Sequence, residues 1–281
     1  MFAEDYPRFM DASELTPRPH RLNERYEAMI ASNQDIFDGA RVLDLASHDG
    51  RYSFAALKAG AAHVTAVEVR QSLVDQGQET FAFYGQDPET YRFVCGDVFE
   101  VLARERFDVD VVLCLGYLYH TFRYTELLYR LHDLAPRHLI VDTMVTPATE
   151  PTLTVNREPN VEHIRGAATD AYSVGRVLVL RPSVPALQML LRAYGFEIES
   201  MYDWKSRLAG RPTDGLEGYA KGERVTVRCR SRKAAKAAGW EPVASPPAAG
   251  ALAQPAGGWR GRINTALAKA TGYELRKASS P

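Results

Sequence analysis

Hydrophobic residues along the chain fall into short, nearly unbroken runs separated by longer amphipathic stretches. RVLDLA (41–46), HVTAVEV (63–69), YRFVCGD (91–97), VDVVLCLG (109–116) and HLIVDTMV (138–145) are rich in β-branched residues, as expected of strands buried on both faces. Between them, YSFAALKAG, SLVDQGQETFAFYG, VFEVLARE and TELLYRLHDLA carry helical spacing. Strands alternating with helices at this interval imply right-handed βαβ crossovers and a mostly parallel sheet. Upstream, the shared face of Tyr26, Met29, Ile30, Ile36 and Phe37 predicts helix over 7–37, ended by Asp38-Gly39.

The rhythm breaks after the fifth strand. Residues 146–175 are polar, with three prolines and no sustained period, too long for an idle connection and read as a lid or substrate-facing insertion. The pattern resumes with RVLVL (176–180), the helix VPALQMLLRAYG closed by Gly195, the strand FEIESMYDW and a last strand RVTVRCR (224–230). Beyond Ser231, Ala, Pro, Gly and Lys dominate; 240–258 reads as a flexible linker and RGRINTALAKATGYELRK as a short basic amphipathic helix. The expected layout is a helical cap over 1–38, an α/β domain over 39–232 with the insertion at about 146–175, and a flexible basic tail over 233–281.

With 281 residues, 46% of them hydrophobic and 25% charged, the chain is long enough to bury a full core. No apolar run approaches the roughly 20 residues that span a bilayer. The first residues are acidic where a secretory signal would be basic and then apolar, so a cytoplasmic location is expected. Cys95, Cys114 and Cys229 lack ligand spacing and read as buried thiols, and no cluster of acids and histidines predicts a metal site. Charge is uneven: from Lys221 onward there are 12 Lys and Arg against 3 Asp and Glu, and before it 22 against 32.

An open parallel sheet binds ligands outside the carboxyl ends of its strands, and three acids stand at successive strand ends. Asp44 and Ala46 close the first strand, before the turn Ser47-His48-Asp49-Gly50, where Gly50 suits a close backbone approach at a helix start. Glu68 ends the second strand, placed to take both hydroxyls of a ribose. Asp97-Val98 follows the third, a carboxylate for an exocyclic amine beside an apolar residue for a purine face.

VLDLASHDG, VTAVEV, FVCGDV and FDVDVVLCLGYLYH together resemble the successive motifs of class I S-adenosylmethionine-dependent methyltransferases over about residues 39–232. The resemblance implies a Rossmann-like seven-stranded sheet, mostly parallel with a final antiparallel strand, and S-adenosyl-L-methionine as cofactor. It implies that Asp44, Ala46 and Gly50, with Ser47 beside them, shape the turn under the methionine part. Glu68 would bind the ribose, Asp97 and Val98 the adenine, and Leu115-Gly116 would line the cofactor at strand four. The family pattern is acid-x-Gly-x-Gly-x-Gly, and here Ala46 and His48 stand at the first two glycine positions. A dinucleotide dehydrogenase is disfavoured, since GxGxxG is missing.

GYLYHTFRY (116–124) resembles the G-x-L-Y-H of a branch that includes sugar, natural-product and tRNA wobble-uridine enzymes. His120 then falls beside the reacting methyl group, where an imidazole could take a hydroxyl proton. Arg25, and second to it Arg21, would reach the cofactor's carboxylate, with Tyr26 packing on the lid. Arg157, Glu158, His163 and Arg165 of the insertion, with Tyr202 and Trp204 near Lys205 and Arg207, are the acceptor-binding expectations. The leading expectation is O-methylation of a small molecule or saccharide. The alternatives are an RNA-modifying enzyme whose basic tail from Arg228 onward grips phosphates and a non-catalytic cofactor-binding or membrane-surface scaffold.

Overall fold

The computed structural model describes residues 1–11, 18–159, 166–168 and 174–237. By internal packing, residues 1–241 form one unit and 242–281 another; the second, with the expected linker and terminal basic helix, lies outside the described residues.

Two short helices, α1 (Phe2–Asp5) and α2 (Arg8–Asp11), precede α3 (Pro19–Met29) and a 3-10 segment, Ala31–Ile36. The single helical span expected over 7–37 is therefore divided. Pro19 has no N–H to give, which suits it to the first turn of α3 and not to a helix interior. Then follow β1 (Arg41–Leu45), α4 (Arg51–Lys58), β2 (His63–Glu68), α5 (Gln71–Phe83), β3 (Tyr91–Cys95), α6 (Val98–Arg104), β4 (Val111–Leu115), α7 (Tyr124–Leu134) and β5 (His138–Met144). The rest comprises β6 (Leu153–Pro159), β7 (Arg176–Pro182), α8 (Val184–Ala193), β8 (Phe196–Met201), α9 (Trp204–Leu208), α10 (Glu217–Ala220), β9 (Arg224–Ser231) and α11 (Arg232–Ala237).

Seven strands form one sheet in the order β3-β2-β1-β4-β5-β9-β8. The first five are mutually parallel, and β9 runs antiparallel to both β5 and β8. This is the Rossmann-like arrangement expected, with its order reversing between β1 and β4. Alternate residues of each central strand face opposite layers. Val42, Val64, Leu113 and Ile140 pack with Phe9, Met29, Phe54 and Phe81 on one side. Leu43, Val67, Val112 and Leu139 pack with Phe99, Leu127, Leu131 and Leu187 on the other. The N-terminal helices contribute Phe2, Phe9 and Met29 to that first layer, so the cap expected over 1–38 shares a core with the sheet.

Among the described residues, the insertion carries a two-stranded arm. β6 and β7 make a separate antiparallel pair, with Val155 opposite Leu180 and Glu158 opposite Val177. RVLVL therefore stands outside the main sheet: its burial alternates, Val177 and Val179 inward and Leu178 outward, as in a ribbon with one face against the protein. The Tyr124 hydroxyl donates to the Leu180 carbonyl at 2.7 Å and the Leu180 N–H to the Thr121 carbonyl at 3.2 Å, holding the arm to the sheet's carboxyl edge.

Three further expectations are corrected. Cys114 and Cys229 are buried, but Cys95 is exposed because β3 is an edge strand. The first residues of the tail expected over 233–281 are ordered, since Arg232–Ala237 is helical and Lys233 Nζ donates to the Asp133 carbonyl at 3.0 Å, and the rest of it lies outside the described residues. Arg228 is committed to Asp35, at 2.7 and 2.8 Å, and to Glu199 at 2.9 Å, so it does not begin a phosphate-gripping surface. No helix among the described residues is long and apolar enough to cross a membrane.

Candidate active site

The carboxyl ends of β1, β2, β3 and β4, covered by α3 and the arm, enclose a cleft of about 690 Å³. It falls at the switch point between β1 and β4, where such sheets bind ligands. Asp44, Ala46, Ser47, Glu68, Asp97, Val98, Leu115, Gly116, Arg25 and His120 all line it.

The turn after β1 replaces glycine without changing the backbone. Ala46 and His48 hold φ angles of 53° and 58°, the left-handed region where an L-residue is strained by roughly 1–2 kcal/mol. Two features hold it there. The His48 N–H donates to Glu68 Oε2 at 3.0 Å, and buried Asp49 is gripped by Arg51 through Nε at 2.8 Å and Nη2 at 2.5 Å. Burial raises the Asp49 carboxyl, but the Arg51 guanidinium and His48 outweigh it and hold the group well below the usual range. Gly50 does not line the cleft, contrary to expectation. Its φ is 73°, and an added Cβ would lie 2.7 Å from Phe93 Cζ and 3.2 Å from Phe81 Cε1, so the glycine serves packing beneath the turn.

Asp44 is buried and accepts from Ser53 Oγ at 2.7 Å. Burial lifts its pKa to about 7; Ser53 pulls it down, and Glu68 and Asp49 add repulsion. Glu68, also buried, accepts at Oε1 from the Arg70 N–H at 3.1 Å and Arg70 Nη1 at 3.2 Å. Asp97 caps α6, with Oδ1 accepting from the N–H groups of Phe99 at 2.9 Å and Glu100 at 3.2 Å. Among the cleft-lining groups, Ser47 Oγ, Tyr52 Oη and Arg25 Nε are buried without a hydrogen-bond partner among the described residues. Unpaired buried polar groups are costly. Their place beside Asp44 and Gly116 fits a ligand with both donors and acceptors, such as the amino-acid end of S-adenosylmethionine.

His120 lies after β4 in a 3-10 turn, Leu118–His120. Its Nδ1 is 3.0 Å from Oε2 of Glu158, in β6, and the same oxygen accepts from the Ala167 N–H at 2.9 Å. Burial raises the Glu158 carboxyl, but the His120 contact and the Ala167 N–H bring it below its ordinary value. The arm thus supplies a carboxylate that fixes the imidazole and leaves Nε2 as the other ring nitrogen, the arrangement of an oriented general base.

The remaining expectations divide. Glu158 reaches the site through His120, whereas Arg157 is exposed and does not line the cleft. His163 and Arg165 lie outside the described residues. Trp204 is core: its ring centroid is 3.9 Å from that of Tyr219 and its Nε1 donates to Thr226 Oγ1 at 3.1 Å. Tyr202 packs on Trp204 at 5.0 Å, Arg207 pairs with Glu24, and Tyr26 stacks on Phe2 at 4.8 Å rather than on a lid. The signal for Trp204 and Tyr202 was aromatic content near cations, which a packed helix start supplies equally.

Arg224 and Asp142 escaped sequence reasoning. Asp142 is fully buried in β5, accepting from Arg224 Nε at 2.7 Å and also Arg224 Nη2, from Arg25 Nη2 at 3.4 Å, and from Tyr219 Oη and Thr226 Oγ1 at 2.8 Å each. An acid inside the apolar run HLIVDTMV was the available signal, because a buried charge requires partners.

Residues 42–135 match the family model described as a methyltransferase domain. No curated protein matches the chain by sequence. Among solved structures, the chain is similar to the 1,6-didemethyltoxoflavin-N1-methyltransferase of Burkholderia thailandensis, at 19% identity over 82% of this chain and 86% of that one, with a TM-score of 0.53. It is similar to an S-adenosylmethionine-dependent methyltransferase from Mesorhizobium loti, at 16% identity, 74% and 99% coverage, and a TM-score of 0.51. The N-terminal domain of EvdMO1, solved in the presence of SAH and D-fucose, gives 19%, 78%, 85% and 0.51. At these identities the likeness to solved structures is one of fold. The segment from β1 to α7, about a third of the chain, carries the turn and the strand-end acids and is the part that matches a methyltransferase domain.

Proposed function

We propose that the chain is an S-adenosylmethionine-dependent methyltransferase acting on an oxygen of a small molecule or saccharide. Glu68 takes the ribose hydroxyls, Asp97 and Val98 the adenine, and Ser47, Tyr52 and Arg25 the amino-acid end. When bound, the cofactor supplies an activated methyl group on a sulfonium. The protein's contribution is to hold the acceptor oxygen in line with that methyl and to keep water out beneath the arm, an alignment worth up to about 7–11 kcal/mol. His120, oriented by Glu158, takes the acceptor's proton at Nε2 as the oxygen forms its bond to carbon. The cofactor would leave as S-adenosylhomocysteine, its sulfur keeping the electrons of the broken bond to the methyl carbon.

The observation that carries the reading is His120 in the same cleft as the three strand-end acids, with Glu158 behind it at Nδ1. Incubation with S-adenosylmethionine and a panel of phenols and monosaccharides tests it, with mass spectrometry locating the methyl. Methyl on oxygen is expected, and His120→Ala should lower turnover about 10²–10⁴-fold at unchanged S-adenosylhomocysteine affinity. Methyl on nitrogen or carbon, or an undisturbed His120→Ala, would contradict it.

A further inference from the structure

The cleft continues past the strand-end acids to a cationic end. Arg25 of α3 and Arg224 of β9 bring their guanidinium groups to Gly116, where an added Cβ would lie 3.1 Å from Arg224 Nη2 and 4.0 Å from Arg25 Nη2. Both lean on Asp142. Arg21, one turn before Arg25 on α3, lines the same end, its Nε donating to the Gly215 carbonyl at 2.9 Å. Arg25 and Arg224 therefore share one buried acid, and no carboxylate pairs with Arg21 among the described residues.

Burial, with the neighbouring Arg25 and Arg224, lowers the Arg21 pKa to about 10 against the opposing pull of Tyr52 and Tyr219, as for a cation lacking its anion. A bound S-adenosylmethionine does not redress this, since its one carboxylate arrives with an ammonium and a sulfonium. Topology separates the two ends. Asp142 and Arg224 lie one and two strands beyond β4, on the side away from Glu68. With neighbouring strands about 4.8 Å apart, this end flanks the cofactor's expected path.

We propose that this end is an oxyanion subsite for the acceptor: the molecule that receives the methyl group carries a carboxylate or phosphate, clamped by Arg21 and Arg224. Guanidinium groups match either anion through paired N–H donors. An anchored anion also fixes the distance from the acceptor's hydroxyl to His120, which is where proximity acts. The inference rests on the methyltransferase reading of the cleft.

The test uses the full chain saturated with S-adenosylhomocysteine, titrated by calorimetry with 4-hydroxybenzoate, phenyl phosphate and neutral 4-hydroxybenzamide, in wild type and Arg21→Met. At least one anion should bind wild type ten-fold or more tighter than the amide, and whether it is the carboxylate or the phosphate names the group. Arg21→Met should lose that preference at equal S-adenosylhomocysteine affinity. Arg21→Lys, which keeps the charge but not the fork, should retain part of it and serves if the Met variant folds poorly. Anions that bind no better than the amide, or a preference surviving Arg21→Met, overturn the subsite. Weakened S-adenosylhomocysteine in Arg21→Met instead assigns the cluster to the cofactor's own carboxylate and overturns it too. Failure of wild type to bind S-adenosylhomocysteine removes the methyltransferase reading itself.

Discussion

Asp44 and Gly50 carry the sharpest residue-scale consequences, because each is buried in a conformation or charge state that water would not favour. The folded pKa of Asp44, about 7, stands above the unfolded value of about 4. Its contribution to stability is therefore full below about pH 4 and lost as pH rises toward about 7. Burial raises Asp49 and Asp142, but their guanidinium partners override it and hold both below the ordinary carboxylate range, outside that window. Wild type should accordingly lose stability relative to Asp44→Asn between about pH 5 and pH 7.5 in urea denaturation. Parallel pH profiles would show that Asp44 is not protonated in the fold. At Gly50, an alanine meets both a left-handed backbone, costing about 1–2 kcal/mol, and the Phe93 ring, where overpacking costs about 1–3 kcal/mol. Gly50→Ala should lower unfolding free energy by about 2–4 kcal/mol, whereas Ala46→Gly and His48→Gly should fall within about 1 kcal/mol of wild type. A Gly50→Ala variant of wild-type stability would contradict the packing account.

Among the elements, the arm carries the site's least legible part. The five parallel strands were readable because burial on both faces leaves unbroken apolar runs such as VTAVEV and VVLCL, and their ends located Asp44, Glu68 and Asp97 by alternation alone. β6 was not readable: its exposed positions, Leu153, Thr154 and Val155 among them, follow no inward period and are interrupted by polar residues. The His120–Glu158 contact spans 38 residues, a pairing that arises only when β6 folds back over the sheet edge. Replacing residues 147–182 with a short Gly/Ser linker should leave the seven-stranded sheet intact, since Thr146 and Ser183 already bridge its two ends. S-adenosylhomocysteine should still bind, within about ten-fold, while turnover falls by the factor expected for loss of the base. Turnover retained without the arm would separate Glu158 from the chemistry. Asp142 and Arg224 stayed hidden for a related reason, since β5 and β9 meet across some 80 residues and only their antiparallel register pairs the acid with its guanidinium.

At the scale of the whole molecule, the chain places an α/β domain, an N-terminal helical cover and an arm around one cleft, whose described lining runs from Arg21 to Arg224. A chain ending at residue 241 should therefore keep the thermal midpoint and cofactor affinity of the full chain, and a large loss in either would tie the segment 242–281 to the fold. The central claim is that the cleft holds S-adenosylmethionine through the strand-end acids. Isothermal titration with S-adenosylhomocysteine is the most direct measurement, comparing wild type with Glu68→Gln. Exchanging a carboxylate acceptor for a neutral one removes about 1.5–3 kcal/mol, so saturable one-site binding to wild type should weaken roughly 10–100-fold in the variant. A folded wild type that does not bind, or equal affinity in the two proteins, would contradict the account.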